Sequence, residues 1–328
     1  MKTYYQNYDP ENPTEEMKFP YRWKKNLKVK RNGIKNTRGK HMNEFGGFYM
    51  TMKSIAHPRA FVAMMNFLLK MVGLFFFPQH FQRMHILRRP VKHVDHALDE
   101  KVPFRTDKLS IYMNFIRMWM QPLSMIFHRY SYNSAASIAV EWYNYLAMTY
   151  PEANKLYKYT MTTTYRPKTD NKSFKRLRRT DPHYECVPSL HISTVTLAFC
   201  FYRMIFERED FSPEEKELWN KEIFKNSSMI GESVLYVKQH SVNCVPAGLY
   251  MLYKIAPELC TKKEVYEFID SFFQNESDVS DEDKKAVNAH IKNTFEKFVE
   301  EGKDDTDWSV PVKKWLDGYE PFTPFYAN

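Results

Sequence analysis

The sequence predicts an all-α protein built around a bundle of about six core helices. Only 9 of the 328 residues are glycine, which disfavours glycine-lined nucleotide sites and sheets with many tight turns. Aromatic residues are abundant, with 25 Phe, 22 Tyr and 6 Trp. The mean hydropathy is −0.59, but the polarity concentrates in residues 1–60, 167–184, 207–227 and 257–328. The apolar stretches between them are long enough for helices.

The predicted core helices lie between residues 61 and 256. The candidate stretches are 61–77, 109–127, 133–150, 188–206 and 228–254, the last with room for two short helices. Residues 61–77 form the most apolar stretch, interrupted by Lys70 and at the low end of the length that spans a bilayer. The stretch is therefore either a membrane span or a buried core helix.

Five charged residues fall inside these candidate helices: Arg117, Glu141, Arg203, Glu232 and Lys238. A charge inside a membrane is costly unless it faces a bundle interior or a wet site. The pattern therefore predicts a bundle with a polar centre.

The two flanking regions are polar. Residues 1–60 form a basic N-terminal region without the apolar segment of a cleaved leader, so any membrane insertion is expected to use internal segments. The basic run at 21–40 could bind anionic headgroups or nucleic acid, or be a solvated tail. No nucleic-acid-binding motif surrounds it, so no nucleic-acid partner is expected. Residues 257–328 form a polar, amphipathic C-terminal region, in which SDVSDEDKKAVNAHIKNTFEKFVEEG predicts a helix.

No cofactor or metal is expected from the sequence. The four cysteines have neither zinc-ligand spacing nor the pattern of a disulfide framework, so reduced thiols are predicted. No cluster of carboxylates indicates a divalent-cation site. The net charge of +9 is compatible with nucleic acid, anionic lipid or a phosphorylated substrate, and does not separate them.

Three short blocks carry groups that suit a phosphate. They are Tyr165-Arg166-Pro167, Pro188-Ser189-Leu190-His191, and the stretch from Ser233 to Gly248 that contains Lys238 and His240. A guanidinium offers two donors to phosphate oxygens, and a hydroxyl and an ammonium offer more. Two histidines can divide the chemistry between nucleophile and general acid.

These blocks resemble, in order, the three signature motifs of the type-2 phosphatidic acid phosphatase superfamily. The segment Leu98-Asp99-Glu100-Lys101-Val102-Pro103-Phe104 is similar to one in membrane-bound members and in relatives that make inositol phosphorylceramide. The resemblance covers roughly residues 60–256. It implies that His240 attacks phosphorus, that His191 protonates the leaving oxygen, and that Arg166, Ser189 and Lys238 hold the phosphate. Without the resemblance, Arg166 is equally a headgroup anchor, Ser189 a helix cap and each histidine a core group.

The chain departs from the family pattern at three positions. Tyr159 stands where the first motif usually has lysine, and Val234 where the third motif usually has arginine. Cys244 replaces the acid expected four residues after the nucleophile, where, on a helix, it would lie one turn from His240. A thiol is a weak partner for an imidazole, so Cys244→Asp is expected to raise turnover.

The resemblance implies a membrane-associated, metal-independent hydrolase acting on a lipid phosphate, or on a related phosphomonoester or pyrophosphate. The expected location is a multi-pass arrangement with the motifs on the non-cytosolic face. The basic loop at 155–179 conflicts with that orientation unless it binds substrate. A largely soluble bundle, as in the vanadium haloperoxidases of the same superfamily, is the other arrangement. The alternative functions are a lipid phosphotransferase and a catalytically impaired membrane protein that binds anionic headgroups.

Overall fold

A computed structural model describes residues 27–209 and 211–327, which are mostly helical. The all-α class is therefore confirmed. Residues 21–26 of the basic run, and everything before them, lie outside the described part. The α-helices are α1 (Gly33–Thr37), α2 (Gly47–Ala56), α3 (Pro58–Met71), α4 (Phe77–Arg83), α5 (Leu109–Tyr112), α6 (Phe115–Arg129), α7 (Tyr132–Tyr159), α8 (Lys172–Thr180), α9 (Leu190–Arg208), α10 (Pro213–Tyr236), α11 (Cys244–Ile255), α12 (Lys262–Asp270), α13 (Asp281–Glu301) and α14 (Ser309–Gly318).

Shorter elements complete the chain path. A π-helical segment, Val72–Phe76, joins α3 to α4 without a break, and 3-10 turns occur at Met42–Glu44, Ala97–Lys101 and Phe325–Ala327. Strands β1 (Val91–His93) and β2 (Met161–Thr163) pair in parallel, with Val91 opposite Met161. Glu185 forms a further parallel bridge to Thr162 of β2. This small sheet brings together the segments that precede α5, α8 and α9.

The core is continuous along the chain. Its buried apolar residues run from Met42 to Leu316. The boundaries predicted at residues 60 and 256 therefore fall inside one core. Helix α13 begins at the cap Ser280 and ends before Gly302, which confirms the helix expected in the C-terminal region. It buries Val287 and Phe295, because its apolar positions recur at helical spacing.

Helix α10 is longer than the sequence pattern indicated. It begins at Pro213, inside the stretch 207–227 that was assigned to the polar regions. The Ser212 hydroxyl accepts from the Glu215 backbone amide, while Glu215 accepts from the Ser212 amide, and this capping box starts the helix. Glu215 then pairs with buried Arg129 at 2.7 Å. The cap and this ion pair thus stabilise a helix that could not be recognised from the average polarity of residues 207–227.

Four of the five charged residues in the candidate helices find partners inside the protein. Glu141 pairs with Arg208 at 3.1 Å, and Arg203 with Glu267 at 2.5 Å. The Glu232 carboxylate accepts from the Phe273 amide, and the Lys238 ammonium donates to backbone carbonyls. The fifth, Arg117, is exposed. Glu141, Glu232 and Lys238 are buried with these partners, whereas the Arg203–Glu267 pair is partly exposed.

One helix in the described ranges is long and apolar enough to cross a membrane, running over Pro58–Arg83 through α3, the π-helical segment and α4. Only 22% of its most apolar window is buried. The segments at 133–150 and 188–206 instead lie within α7 and α9, whose side chains are largely buried in the core. A multi-pass arrangement therefore has no support in the described structure.

Residues 316–325 pack against residues 92–100. The Tyr319 hydroxyl and the Phe322 amide both donate to the Asp95 carbonyl, at 2.6 and 3.0 Å. The Phe325 amide donates to the Glu100 carboxylate at 2.7 Å. The segment 92–100, whose Asp95 carboxylate accepts from the Tyr165 amide of the first predicted site loop, is thus held by residues late in the chain.

Candidate active site

His191 lies in the first turn of α9, and aromatic rings fix its imidazole. The Tyr112 ring stacks on it with centroids 4.3 Å apart, and the Phe115 ring lies 4.4 Å away at a steeper angle. The Tyr112 hydroxyl is 3.5 Å from Nδ1, at the long limit of a hydrogen bond. The buried Nε2 has no partner among the described residues. Burial lowers the pKa of His191 to about 3, so the imidazole is neutral at pH 7.

His240 lies in the loop between α10 and α11, and its ring centroid is 5.8 Å from that of His191. Its backbone amide donates to the Val234 carbonyl at 3.2 Å. Burial lowers its pKa to about 4, an effect opposed by a hydrogen bond to the Cys186 backbone. Its Nδ1 is buried and finds no partner in the described part of the chain. Both predicted catalytic histidines are therefore close together and neutral.

Both histidines line one partly open cavity. The lining residues are Phe75, Gln79, Asp181, His183, Glu185, Cys186, Leu190, His191 and His240. The cavity is formed by the helix Pro58–Arg83, the segment between α8 and α9, the start of α9 and the α10–α11 loop. The second and third sequence blocks, separated by about fifty residues, therefore meet at one place.

Arg166 approaches the same region from the loop after β2. The Asp95 carboxylate accepts from the Tyr165 amide at 2.8 Å, and the Tyr165 ring stacks on His93, which fixes the preceding residue. Burial lowers the pKa of Arg166, while the charge of Asp181 opposes that shift. One terminal nitrogen, Nη1, is buried without a hydrogen-bond partner among the residues described. This guanidinium therefore has unused donor capacity beside the cavity.

Ser189 acts as the N-cap of α9. Its hydroxyl accepts from the Ile192 amide at 3.4 Å, and the side chain is fully buried. Ser189 does not line the cavity. The helix-capping interpretation is thus the one that the contacts support.

Lys238 is directed away from the cavity. Its ammonium donates to the carbonyl oxygens of Asp99 and Val102, and it is not a lining residue. The predicted role of Lys238 as a phosphate ligand stays a prediction that these contacts do not support, because its donors bind the backbone of the 97–102 segment. A left-handed backbone, with φ of 53°, turns the chain at this residue toward that segment.

Asp99 supports the loop that carries His240. Its carboxylate accepts from the Val242 amide at 2.8 Å and from the His96 amide at 2.8 Å. Burial raises its pKa to about 6, against the effect of a hydrogen bond from Ser241 and other donors. The Leu-Asp segment noted in the sequence therefore positions the third block.

Cys244 does not lie one helical turn from His240 as expected. Helix α11 begins at Cys244, and residues 240–243 are a loop, so the spacing of four does not place the two side chains on one helix face. The thiol is fully buried, and its backbone carbonyl accepts from the Ser189 amide at 3.3 Å. Burial raises its pKa, which keeps the thiol protonated. No hydrogen bond joins Cys244 to His240 within the described chain.

Glu185 is a cavity residue that the sequence interpretation missed. Both of its carboxyl oxygens are buried, with no hydrogen-bond partner in the described ranges. Burial raises its pKa well above the usual range, although Arg89 opposes that shift. Burial therefore favours the protonated form of this carboxyl.

The run Asp181-Pro-His-Tyr-Glu-Cys186 supplies four lining residues. Its density of titratable groups just before the second block is the signal that could have identified it. His183 has its Nε2 2.8 Å from the Thr164 hydroxyl, and burial together with the charge of Arg166 lowers its pKa.

The described residues contain no group of three or more His, Cys, Asp or Glu side chains arranged to hold a metal ion. The cavity instead combines neutral imidazoles, a buried carboxyl with a raised pKa and a nearby guanidinium. Such a set can bind an oxyanion and move protons. No family model matches the chain, and neither a curated protein nor a solved structure gives a match.

Proposed function

We propose that the chain is a metal-independent phosphatase of the type-2 phosphatidic acid phosphatase kind. Its substrate is a lipid phosphate or a related phosphomonoester or pyrophosphate. The observation that carries the proposal is the pair of neutral imidazoles 5.8 Å apart at one cavity, each with a buried, unpartnered nitrogen in the described structure. Arg166 is not a lining residue, but its charge interacts with the lining residue Asp181 and its buried Nη1 has no partner among the described residues, so we assign it the positive charge for the phosphate.

In this mechanism the lone pair on Nδ1 of His240 attacks phosphorus. A nitrogen–phosphorus bond forms, the bond from phosphorus to the leaving oxygen breaks, and that oxygen takes a proton. Water then attacks phosphorus, the nitrogen–phosphorus bond breaks, and the proton that water loses returns to the donor group, so that phosphate and neutral His240 are released. The depressed pKa of His240, about 4, favours this role because the imidazole stays unprotonated at neutral pH. A lipid hydroxyl in place of water would make the same site a phosphotransferase.

The proton source distinguishes two versions of the mechanism. His191 has a pKa of about 3 and lacks the extra proton at rest, but a bound phosphate dianion favours its charged form. Burial raises the pKa of Glu185, which favours the protonated form that can donate. We expect activity to fall as the pH rises through the pKa of whichever group donates. The variant, Glu185→Gln or His191→Asn, that removes this basic limb from the profile of kcat/KM identifies the donor.

Membrane association is part of the proposal, with one candidate helix in place of several spans. The catalytically impaired alternative is favoured by one observation, that His240 Nδ1 has no hydrogen-bond partner, and therefore no orienting carboxylate, among the described residues. Without a carboxylate, the charge that develops on the imidazole is not offset. Binding of a short-chain phosphatidic acid without turnover would support that alternative.

The test is rapid quench of purified protein with a short-chain phosphatidic acid. We expect an acid-labile, alkali-stable phosphohistidine in the wild type and in the control His85→Asn, whose exposed side chain lies outside the cavity. We expect turnover to survive EDTA. Turnover without any phosphohistidine, or turnover lost in EDTA and restored by magnesium, contradicts the mechanism. Product analysis with an added lipid alcohol separates hydrolysis from transfer.

A further inference from the structure

The helix Pro58–Arg83 presents an apolar stripe to solvent. Its outward positions follow helical spacing and include Val62, Leu69, Phe77 and Phe81, with exposures of 66, 67, 52 and 38%. On its other side, Ala63 and Phe67 among others are buried in the core. The exposed side of this helix therefore carries large apolar residues along its length, beside the exposed Arg59, Asn66 and Arg83, which is unusual for a surface helix.

Helix α2 extends this surface. It packs beside α3 and exposes Phe48, Met52 and Ile55, which are spaced to lie on one face. Beyond α4, Met84 and Ile86 are exposed by 56 and 65%. We call these exposed residues of α2, the helix Pro58–Arg83, Met84 and Ile86 the apolar face.

The charges around the apolar face have one sign. From Phe45 to Val94 the sequence contains no Asp or Glu, but it contains seven cations: Lys53, Arg59, Lys70, Arg83, Arg88, Arg89 and Lys92. Arg83, Arg89 and Lys92 donate to backbone carbonyls of the protein. The long side chains of the other four can keep their charged ends at a headgroup layer while the apolar stripe enters it.

A basic helix adjoins the apolar face. The Arg83 guanidinium donates to the Arg179 carbonyl at 2.9 Å, which ties the end of α4 to α8. Helix α8 buries Phe174 and Leu177 and exposes Lys172, Lys175, Arg176 and Arg179. An anionic lipid surface binds such a combination, because the apolar residues enter the membrane and the cations contact its headgroups.

We propose that the apolar face docks in the plane of a membrane rich in anionic lipid, with α8 against the headgroups. The helix lies on the membrane instead of crossing it, because its inner side belongs to the protein core along α7. Phe75 and Gln79 of the same helix line the cavity, and α8 leads into lining residues Asp181 and His183. Docking therefore brings the cavity close to lipid headgroups. The inference does not need the proposed catalysis, since vesicle binding is measured without turnover.

The test is flotation of the purified full chain with vesicles of phosphatidylcholine alone or with phosphatidylglycerol. We expect binding to the anionic vesicles, weakened by salt, and at least about tenfold weaker binding by the triple variant Val62→Asp, Leu69→Asp, Phe77→Asp. The control is Val310→Asp with Phe325→Asp, two exposed apolar positions outside the apolar face, and it should bind as the wild type does. Carbonate at high pH should release the bound protein, as expected for docking in the plane.

Three results would overturn the proposal. The first is absence of wild-type binding, or equal binding by the triple variant. The second is a wild-type protein that resists carbonate extraction, which indicates a spanning helix. The third is a dimer in sedimentation velocity that the triple variant dissociates, which assigns the apolar face to a second copy of the chain. Circular dichroism of both variants verifies that a loss of binding is not unfolding.

Discussion

The two histidine-bearing loci are supported in different ways. His191 sits on a helix, and its ring rests between Tyr112 and Phe115. His240 sits in a loop that depends on distant backbone contacts, including the Val242 amide donating to Asp99, 143 residues earlier. Helix position and ring packing fix the first, while hydrogen bonds to a loop backbone fix the second. The same low pKa thus arises from burial in two unlike settings.

The largest expected effect comes from removing the proposed nucleophile. His240→Asn keeps a polar side chain of similar shape but cannot form a phosphohistidine. We expect turnover of a short-chain phosphatidic acid to fall at least about 10³-fold, with the melting temperature little changed. Residual activity above a hundredth of the wild type would show that the loop histidine is not the nucleophile.

The support of the loop that carries His240 can be tested at Asp99. Asp99→Asn leaves one acceptor oxygen for two backbone amides, so one of them meets an amide donor. We expect about a tenfold loss of turnover and a lower melting temperature. Asp304→Asn, at an exposed position, is the matched control and should change neither. Equal activity of the two variants would show that the loop does not need this anchor.

The variant Cys244→Asp tests the residue that follows the His240 loop. The carboxylate would be fully buried in a region already close to Asp95 and Asp99, whose charges raise the pKa of the thiol there. We expect a loss of about 2 kcal/mol or more in the free energy of unfolding and no gain in turnover, in contrast to the expectation from spacing. Denaturant unfolding beside Cys244→Ser measures this. A stable variant with raised turnover would show that the thiol stands in for an acid.

The smallest effect is expected at Tyr112, which stacks on the helix residue His191. Tyr112→Phe keeps the ring that stacks on His191 and removes a hydroxyl 3.5 Å from Nδ1. Because that contact is long, we expect less than about a threefold change in kcat/KM. A loss above tenfold would indicate that the hydroxyl, and not the ring, positions the imidazole.

That these segments form helices could be predicted from the sequence, because the long apolar stretch of α9 and the capping residue of α13 are local signals. The meeting of His191 and His240 could be expected only through the family resemblance. The role of Lys238 could not be predicted, since its carbonyl partners lie more than 130 residues away. Glu185 could not be identified from the sequence, because the burial that raises the pKa of its carboxyl depends on the tertiary fold. The helix Pro58–Arg83 carries large apolar residues on its exposed side as well as on its buried side. Hydropathy alone therefore could not predict which of its residues are buried.

The contact of Tyr319 with Asp95 joins residues 224 positions apart. During synthesis on the ribosome, the segment around Asp95 therefore emerges long before the residues that will cover it. A nascent chain that already contains His191 and His240 still lacks this covering. The order of translation thus delays completion of the support around the site, and the exposed intermediate is a natural substrate for chaperones.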